Sequence, residues 1–195
     1  MAKQFTPQDR YFKKAKDEGY RARSVFKLES VQNRFHIIKP GDRVLDLGAA
    51  PGSFLQYISK ITGEKGIAIG IDLQEIKAMG LKNVKTFKGD IFDDAIYGKI
   101  GIDEFDVITS DLAPSTSGIR FLDAGRSLDL SLKVLDVAKK FLKRGGSLLI
   151  KFLPGFNEGD LLKPAGAMFK TVKKIRPEAI RKTSGESYLV CLNKL

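Results

Sequence analysis

The chain has 195 residues, 43% of them hydrophobic, which is enough for one domain with a substantial core, and it holds no apolar run of about 18 residues, so no transmembrane helix is expected. The N-terminal stretch has no apolar signal centre, the lone cysteine Cys191 cannot form an internal disulfide, and the lone histidine His36 has no Cys/His cluster around it. These features point to a reducing cytoplasmic location and argue against a zinc site or a His-based triad. The net charge of +11 is unevenly placed, with +6 in residues 1–43, −1 in 44–162 and +6 in 163–195, the pattern of an ordinary core bearing a polyanion-binding face.

In chain order, residues 1–40 read as a basic extension of two helical pieces, DRYFKKAKDE and SVFKLESVQNRF, with Ser24 as N-cap of the second. Val25, Leu28, Val31 and Phe35 recur at helical spacing and should face the core. Tyr11, Phe12, Tyr20 and Phe26 lie among the basic residues, which favours nucleic acid over an anionic membrane, with solvated helix faces as the plain alternative. His36, beside Phe35 and Ile37, reads as a packing residue, and Pro40-Gly41-Asp42 as a turn. From residue 43 strands alternate with helices. RVLDLG, GIAIGIDL, VKTFKGD, FDVITSDLAP and, after a Gly145-Gly146 turn, GSLLIKFL are strands. SFLQYISKI, DDAIYGKI and the long LDAGRSLDLSLKVLDVAKKFLK are helices. LLKPAGAMF is weakly helical, and TVKKIRP and ESYLVCLNK close the chain as strands antiparallel to each other. The alternation predicts an α/β fold spanning residues 1–195 as a single domain, a seven-stranded, mainly parallel sheet with one antiparallel strand and helices on both faces.

Ligands of such sheets sit beyond the carboxyl ends of the strands. The first strand leads through Asp46 into a glycine loop, DLGAAPGSF, where Gly48 and Gly52 let the backbone turn and approach a ligand ahead of a helix N-terminus. The next three strands end in Asp72, Asp90 and Asp111, and the fifth carries Lys151. Asp72 lies 20 residues beyond Gly52, near the spacing at which an acidic residue holds ribose hydroxyls, so NAD is a rival ligand. The loop lacks the G-x-G-x-x-G glycines of pyrophosphate approach, however, and suits S-adenosylmethionine better. Asp46 would take the ammonium, the turn N–H groups the carboxylate, and Asp90 the adenine amino group. Lys151 interrupts the buried run LLIKFL, where a lysine is hard to explain structurally. Lys27 alone would read as a solvated helix lysine, Asp111 as a turn initiator, Glu186 as an edge charge and Cys191 as a buried structural thiol.

DLGAAPGSF, GIDL, KGDIF, SDLAP and LLIKFLPG together resemble the successive motifs of the FtsJ/RrmJ family of S-adenosylmethionine-dependent RNA ribose 2′-O-methyltransferases, from about Tyr20 to the C-terminus. The resemblance implies a Rossmann-like methyltransferase fold and, through RSVFKLES and TSGESYLV, a Lys-Asp-Lys-Glu tetrad of Lys27, Asp111, Lys151 and Glu186 with Lys151 as base. Free lysine has a pKa near 10.4, so a lysine base needs help from burial or a like charge, which nearby carboxylates oppose. Asp111 would also border the cofactor. Phe54 stands where close bacterial relatives carry Trp and would pack beside the methionine portion, and Ser115 stands where Asn is common. The implied substrate is a uridine of large-subunit ribosomal RNA, free or in the ribosomal subunit, with a transfer-RNA or messenger-cap ribose as the alternative and a monomer as the favoured form. Rivals of another class are an inactive RNA-binding module and an NAD-dependent oxidoreductase. Lys13, Lys14, Lys16, Arg21 and Arg23 before Lys27, Arg176, Arg181 and Lys182 before Glu186, and Arg120 and Arg126 near the PSTSG loop are expected to meet RNA phosphates. On this reading, loss of Arg21 and Arg23 weakens RNA binding and leaves cofactor affinity intact.

Overall fold

The computed structural model describes residues 10–115, 117–155, 157–181 and 184–195. Strands β1 (Arg43–Leu47), β2 (Ile67–Asp72), β3 (Val84–Lys88), β4 (Phe105–Ser110), β5 (Leu142–Phe152), β6 (Phe169–Ile175) and β7 (Ser187–Lys194) form one sheet in the order β3-β2-β1-β4-β5-β7-β6. The β1·β2, β2·β3, β1·β4 and β4·β5 pairs are parallel, and β7 runs antiparallel between β5 and β6. The sheet is thus the mainly parallel one that the alternation predicts, with its single reversed strand. Strand order switches direction between β1 and β4, which opens a crevice beyond their carboxyl ends.

Side chains alternate between the two faces of every strand, and two apolar layers result. Leu45, Leu47, Ile69, Ile71, Ile108, Leu148 and Ile150 pack beneath α4 (Ala95–Ile100), α5 (Arg120–Phe141) and α6 (Gly159–Met168). Val44, Ala68, Val107, Leu149 and Val190 pack beneath α1 (Arg10–Asp17), α2 (Val25–Phe35) and α3 (Ser53–Thr62). Helix α2 buries Val25, Phe26, Leu28 and Val31, and each side chain of this size contributes about 1.5–3 kcal/mol on burial. Residues 25–35 are therefore fixed to the sheet, and Lys27 is carried on a rigid element. Among the described residues, no helix is long and apolar enough to cross a membrane.

Three local expectations give way to tertiary structure. Ser24 is helical at φ −57° and makes no capping hydrogen bond; its hydroxyl meets that of Ser53 at 2.9 Å, joining the starts of α2 and α3. His36 is exposed rather than packed, and ends α2 in a left-handed conformation at φ 49° with its N–H on the Gln32 carbonyl at 2.8 Å. Gly145 and Gly146 do not form a separate turn: β5 runs through them from Leu142, with an irregular register against β4.

Gly70 marks the closest approach of α3 to the sheet. A Cβ there would lie 2.6 Å from a methyl of Leu55 and 2.8 Å from Ala49 Cβ. Gly70→Val should overpack this contact and lower stability by about 1–3 kcal/mol in urea denaturation, without changing the slope of the transition.

Candidate active site

The glycine loop begins where β1 ends. Gly48, at φ +78°, donates its N–H to the Ile71 carbonyl at 2.9 Å, and a Cβ on it would stand 2.8 Å from the Leu112 side chain. Gly52, at φ +107°, precedes α3. The loop is held from inside by Asp72, whose Oδ2 accepts the Ala50 N–H at 2.9 Å while Oδ1 accepts that of Gln74 at 2.8 Å. It is held from outside by Arg21. Nη1 donates to the carbonyls of Pro51 at 3.0 Å and Lys77 at 2.6 Å, and Nη2 donates to that of Ala78 at 2.6 Å. Three of the N–H groups of its fork are thus engaged by backbone carbonyls, where the sequence suggests RNA phosphates.

A cavity of about 310 Å³ lies beyond the carboxyl ends of β1, β2 and β4, lined among others by Gly48, Ala50, Asp72, Gln74, Asp90 and Asp111. The Asp90 Oδ1 accepts the Phe92 N–H at 3.0 Å, which fixes the carboxylate at the rim. Asp46 is 1% exposed, its Oδ1 accepting the Thr109 hydroxyl at 2.7 Å and its Oδ2 buried with no donor among the described residues. Phe54 is not among the lining residues. It lies in the first turn of α3 and in the apolar layer on the α1–α3 face, where it is 3% exposed. A nucleoside-sized ligand with a cationic end fits this cavity: carboxylates at three strand ends and a glycine turn that a Cβ would fill line it, and two residues before Gly48 stands a buried acceptor lacking a donor among the described residues.

The four tetrad residues meet at the edge of that cavity. The Asp111 Oδ1 lies 3.1 Å from Lys151 Nζ and 3.7 Å from Lys27 Nζ, and Lys27 Nζ lies 2.7 Å from Glu186 Oε1. Lys151 Nζ also donates to the Asp111 carbonyl oxygen, and the Asp111 N–H is anchored on the Leu47 carbonyl at 3.2 Å. The period of two brings this about. Lys151 shares the strand face of Leu149, toward α2, and pairs in register with Tyr188 of β7. Tyr188 is the member that sequence reasoning missed: it is fully buried and its hydroxyl donates to Asp111 Oδ1. Burial, with the Asp111 and Glu186 carboxylates alongside, holds its phenol far above the ordinary range, so it remains a donor. The only signal in sequence is its two-residue spacing from Glu186. Cys191, also fully buried, has its thiol pushed up to about 12 by burial alone, the state of an inert structural cysteine. Among the described residues, no group of three or more His, Cys, Asp or Glu could hold a metal ion.

A second cavity, of about 300 Å³, opens on the other side of the tetrad and is lined by Arg23, Ser24, Lys27, Arg181, Ser184 and Glu186. Arg23 is steadied by the Ala179 carbonyl and lies with its guanidinium carbon 5.5 Å from the Tyr11 ring centre. Arg126 is tied by a 3.2 Å bond to the Ser115 carbonyl, and Arg176 by a 2.6 Å bond to that of Ser184. Lys182 lies outside the described residues.

A profile of the FtsJ-like methyltransferase family matches residues 20–194. The chain is 43% identical to the ribosomal RNA large subunit methyltransferase E of Bdellovibrio bacteriovorus, over 97% of this chain and 98% of that protein. It is 42% identical to the protein of the same name from Syntrophobacter fumaroxidans, over 95% of each. Among solved structures, a ribosomal RNA methyltransferase of Plasmodium falciparum superposes with a TM-score of 0.80 at 28% identity, covering 90% of this chain and 99% of that one. A fibrillarin of Aeropyrum pernix with S-adenosylmethionine bound shares the fold, with a TM-score of 0.61 at 17% identity, over 87% of this chain and 76% of the other.

Asp46 gives the site a pH signature. Burial raises its carboxyl well above the ordinary 3.8, the Thr109 hydrogen bond opposes this, and Asp111 and Asp72 add to the rise. A group raised on folding stabilises the protein fully below the unfolded value and loses that contribution as pH climbs toward the folded one. Asp46→Asn cannot ionise. Its unfolding free energy relative to the unaltered protein should therefore grow above about pH 4, by up to about 1.4 kcal/mol per pH unit, until the folded carboxyl titrates. Urea denaturation of both proteins from pH 4 to 8 checks this; parallel curves would contradict it.

Proposed function

Because the chain belongs to the FtsJ-like methyltransferase family, we propose that it transfers the methyl group of S-adenosylmethionine to a ribose 2′-oxygen of large-subunit ribosomal RNA. The observation that carries this reading is the tetrad's position at the seam of two cavities: Asp111 lines the inner one, and Lys27 and Glu186 line the outer one beside two arginines. The inner cavity suits the methyl donor and the outer one an RNA acceptor. The names of the matching relatives support ribosomal RNA as the substrate class.

Gly48, Ala50 and Gly52 would lay the glycine loop along the donor, Asp46 would satisfy its ammonium with the unpartnered Oδ2, and Asp72 and Asp90 would take the ribose hydroxyls and the adenine amino group. Bound there, the cofactor would supply an electrophilic sulfonium methyl group to the ribose 2′-oxygen, the electron pair of the broken S–CH3 bond staying on sulfur and the 2′-proton passing to a base. Lys151 would accept that proton at Nζ after its own ammonium proton has left to solvent. Asp111 orients it through both its carboxylate and its backbone carbonyl. Lys27, paired to Glu186 at 2.7 Å, presents a like charge to Lys151 across their shared carboxylate and faces the acceptor ribose. Aligning donor and acceptor supplies much of the acceleration. Arg23 and Arg181 hold phosphates of the RNA.

The test is methylation of total RNA and isolated ribosomal subunits with methyl-labelled cofactor. Label in alkali-resistant linkages of large-subunit RNA is the expected result. Label on bases or protein overturns the reaction, and label in transfer RNA or caps overturns the substrate. Lys151→Ala should slow single-turnover methyl transfer by about 10²–10⁴ with cofactor affinity within about twofold. A fully active variant with a flat pH–rate profile would remove Lys151 from the role of base. Replacing Arg23 and Arg181 together by Ala should weaken RNA binding and reduce its salt dependence by about two phosphate contacts.

A further inference from the structure

We infer that Arg21 is a positioning residue for the methyl donor, clamping together two of the loops beside the donor cavity although it lies in the basic segment that leads to the RNA side. The inference rests on the proposed occupancy of that cavity by S-adenosylmethionine.

Two of the segments that wall the cavity meet Arg21 from one side. One is the glycine loop, contributing Gly48 and Ala50; the other is the stretch after β2, contributing Asp72, Leu73 and Gln74. Apart from Asp72, which ends β2, these residues lie outside helix and strand. Arg21 bridges them from behind, with one nitrogen shared by Pro51 and Lys77 and a second on Ala78, at 3.0, 2.6 and 2.6 Å. Charge-assisted bonds of this length are about twice as strong as neutral ones, and only a planar fork can serve three carbonyls from one side. The same loop is gripped from the other side by Asp72, which accepts the Ala50 N–H at 2.9 Å, so neighbouring residues of the loop are held by a carboxylate and by a guanidinium.

Arg21 is itself anchored. Its N–H donates to Gln56 Oε1 at 2.9 Å, and Gln56 Nε2 donates to the Gly19 carbonyl at 3.0 Å, which ties the segment to α3. The clamp also accounts for Gly52: a Cβ there would meet Met79 Sδ at 3.0 Å and Arg21 Nη1 at 3.3 Å, at a φ of +107°. Two residues along, Arg23 lines the outer cavity, so one short segment both braces the glycine loop and lines the outer cavity.

The experiment is calorimetric titration of S-adenosylhomocysteine and S-adenosylmethionine into the intact protein and into Arg21→Ala and Arg21→Lys, with thermal unfolding, RNA affinity and steady-state kinetics on each. Arg21→Ala should bind the donor about tenfold more weakly. Arg21→Lys should lie between the two, since an ammonium cannot span the three carbonyls. The RNA KM should be unchanged, the KM for the donor should rise, and added guanidinium ion at millimolar concentration should restore part of the donor affinity of Arg21→Ala. Unchanged donor affinity in a folded variant, or a loss shared equally by RNA and donor, overturns the inference. If Arg21→Ala does not fold, Arg21→Lys decides by the same measurements. Failure of the unaltered protein to bind either compound overturns the donor reading itself, and the inference with it.

Discussion

Everything in the site converges on one carboxylate. Asp111 Oδ1 faces Lys151 at 3.1 Å and Lys27 at 3.7 Å and accepts the hydroxyl of Tyr188, while its own carbonyl accepts Lys151. Its backbone N–H, bonded to Leu47, sets its height above the sheet. Two cations and a buried phenol could not be gathered in a half-buried crevice without such a centre, because an unpaired charge there would cost several kcal/mol. With Glu186 on the far side of Lys27, the group holds two formal positive and two formal negative charges. The balance explains how a lysine 8% exposed can sit in the middle of a sheet.

The fold supplies this centre from distant parts of the chain through ordinary rules. The switch in strand order between β1 and β4 opens the crevice, and the alternation of side chains turns Lys151 and Tyr188 toward α2 rather than α5. The apolar face of α2 then fixes the height of Lys27 over that edge. None of these requirements is chemical, but together they place an acid–base cluster between two cavities.

How much of this was legible in sequence depended on how local the cause was. A lysine inside LLIKFL stood out because nothing apolar explains it, and the strand ends at Asp72, Asp90 and Asp111 followed from alternation with helices. Tyr188 was invisible as a site residue, since an aromatic in ESYLV is ordinary strand chemistry until register sets it opposite Lys151. Ser24 looked like a cap because serine caps helices, but the tertiary neighbour Ser53 took its hydroxyl. Arg21 carried the charge that phosphates attract, and only the folded loops reveal three carbonyls closer to hand. Phe54 could be assigned to a helix from sequence but not to a face of the site, because its direction depends on the first turn of α3 against the core. Local propensity and periodicity are written residue by residue; partners brought together by topology are not.

The position of β7 has a consequence for how the protein comes into being. This strand is inserted between β5 and β6, and Glu186 and Tyr188 arrive with it. A nascent chain that has already emerged through β6 still exposes the bare edge of β5, with Lys151 lacking the neighbour opposite it and Lys27 lacking its nearest anion. The cluster of lysines and carboxylates is thus assembled in the same event that closes the sheet, so a chain that stops before Glu186 is left both with an open β5 edge and without the two groups that complete the cluster.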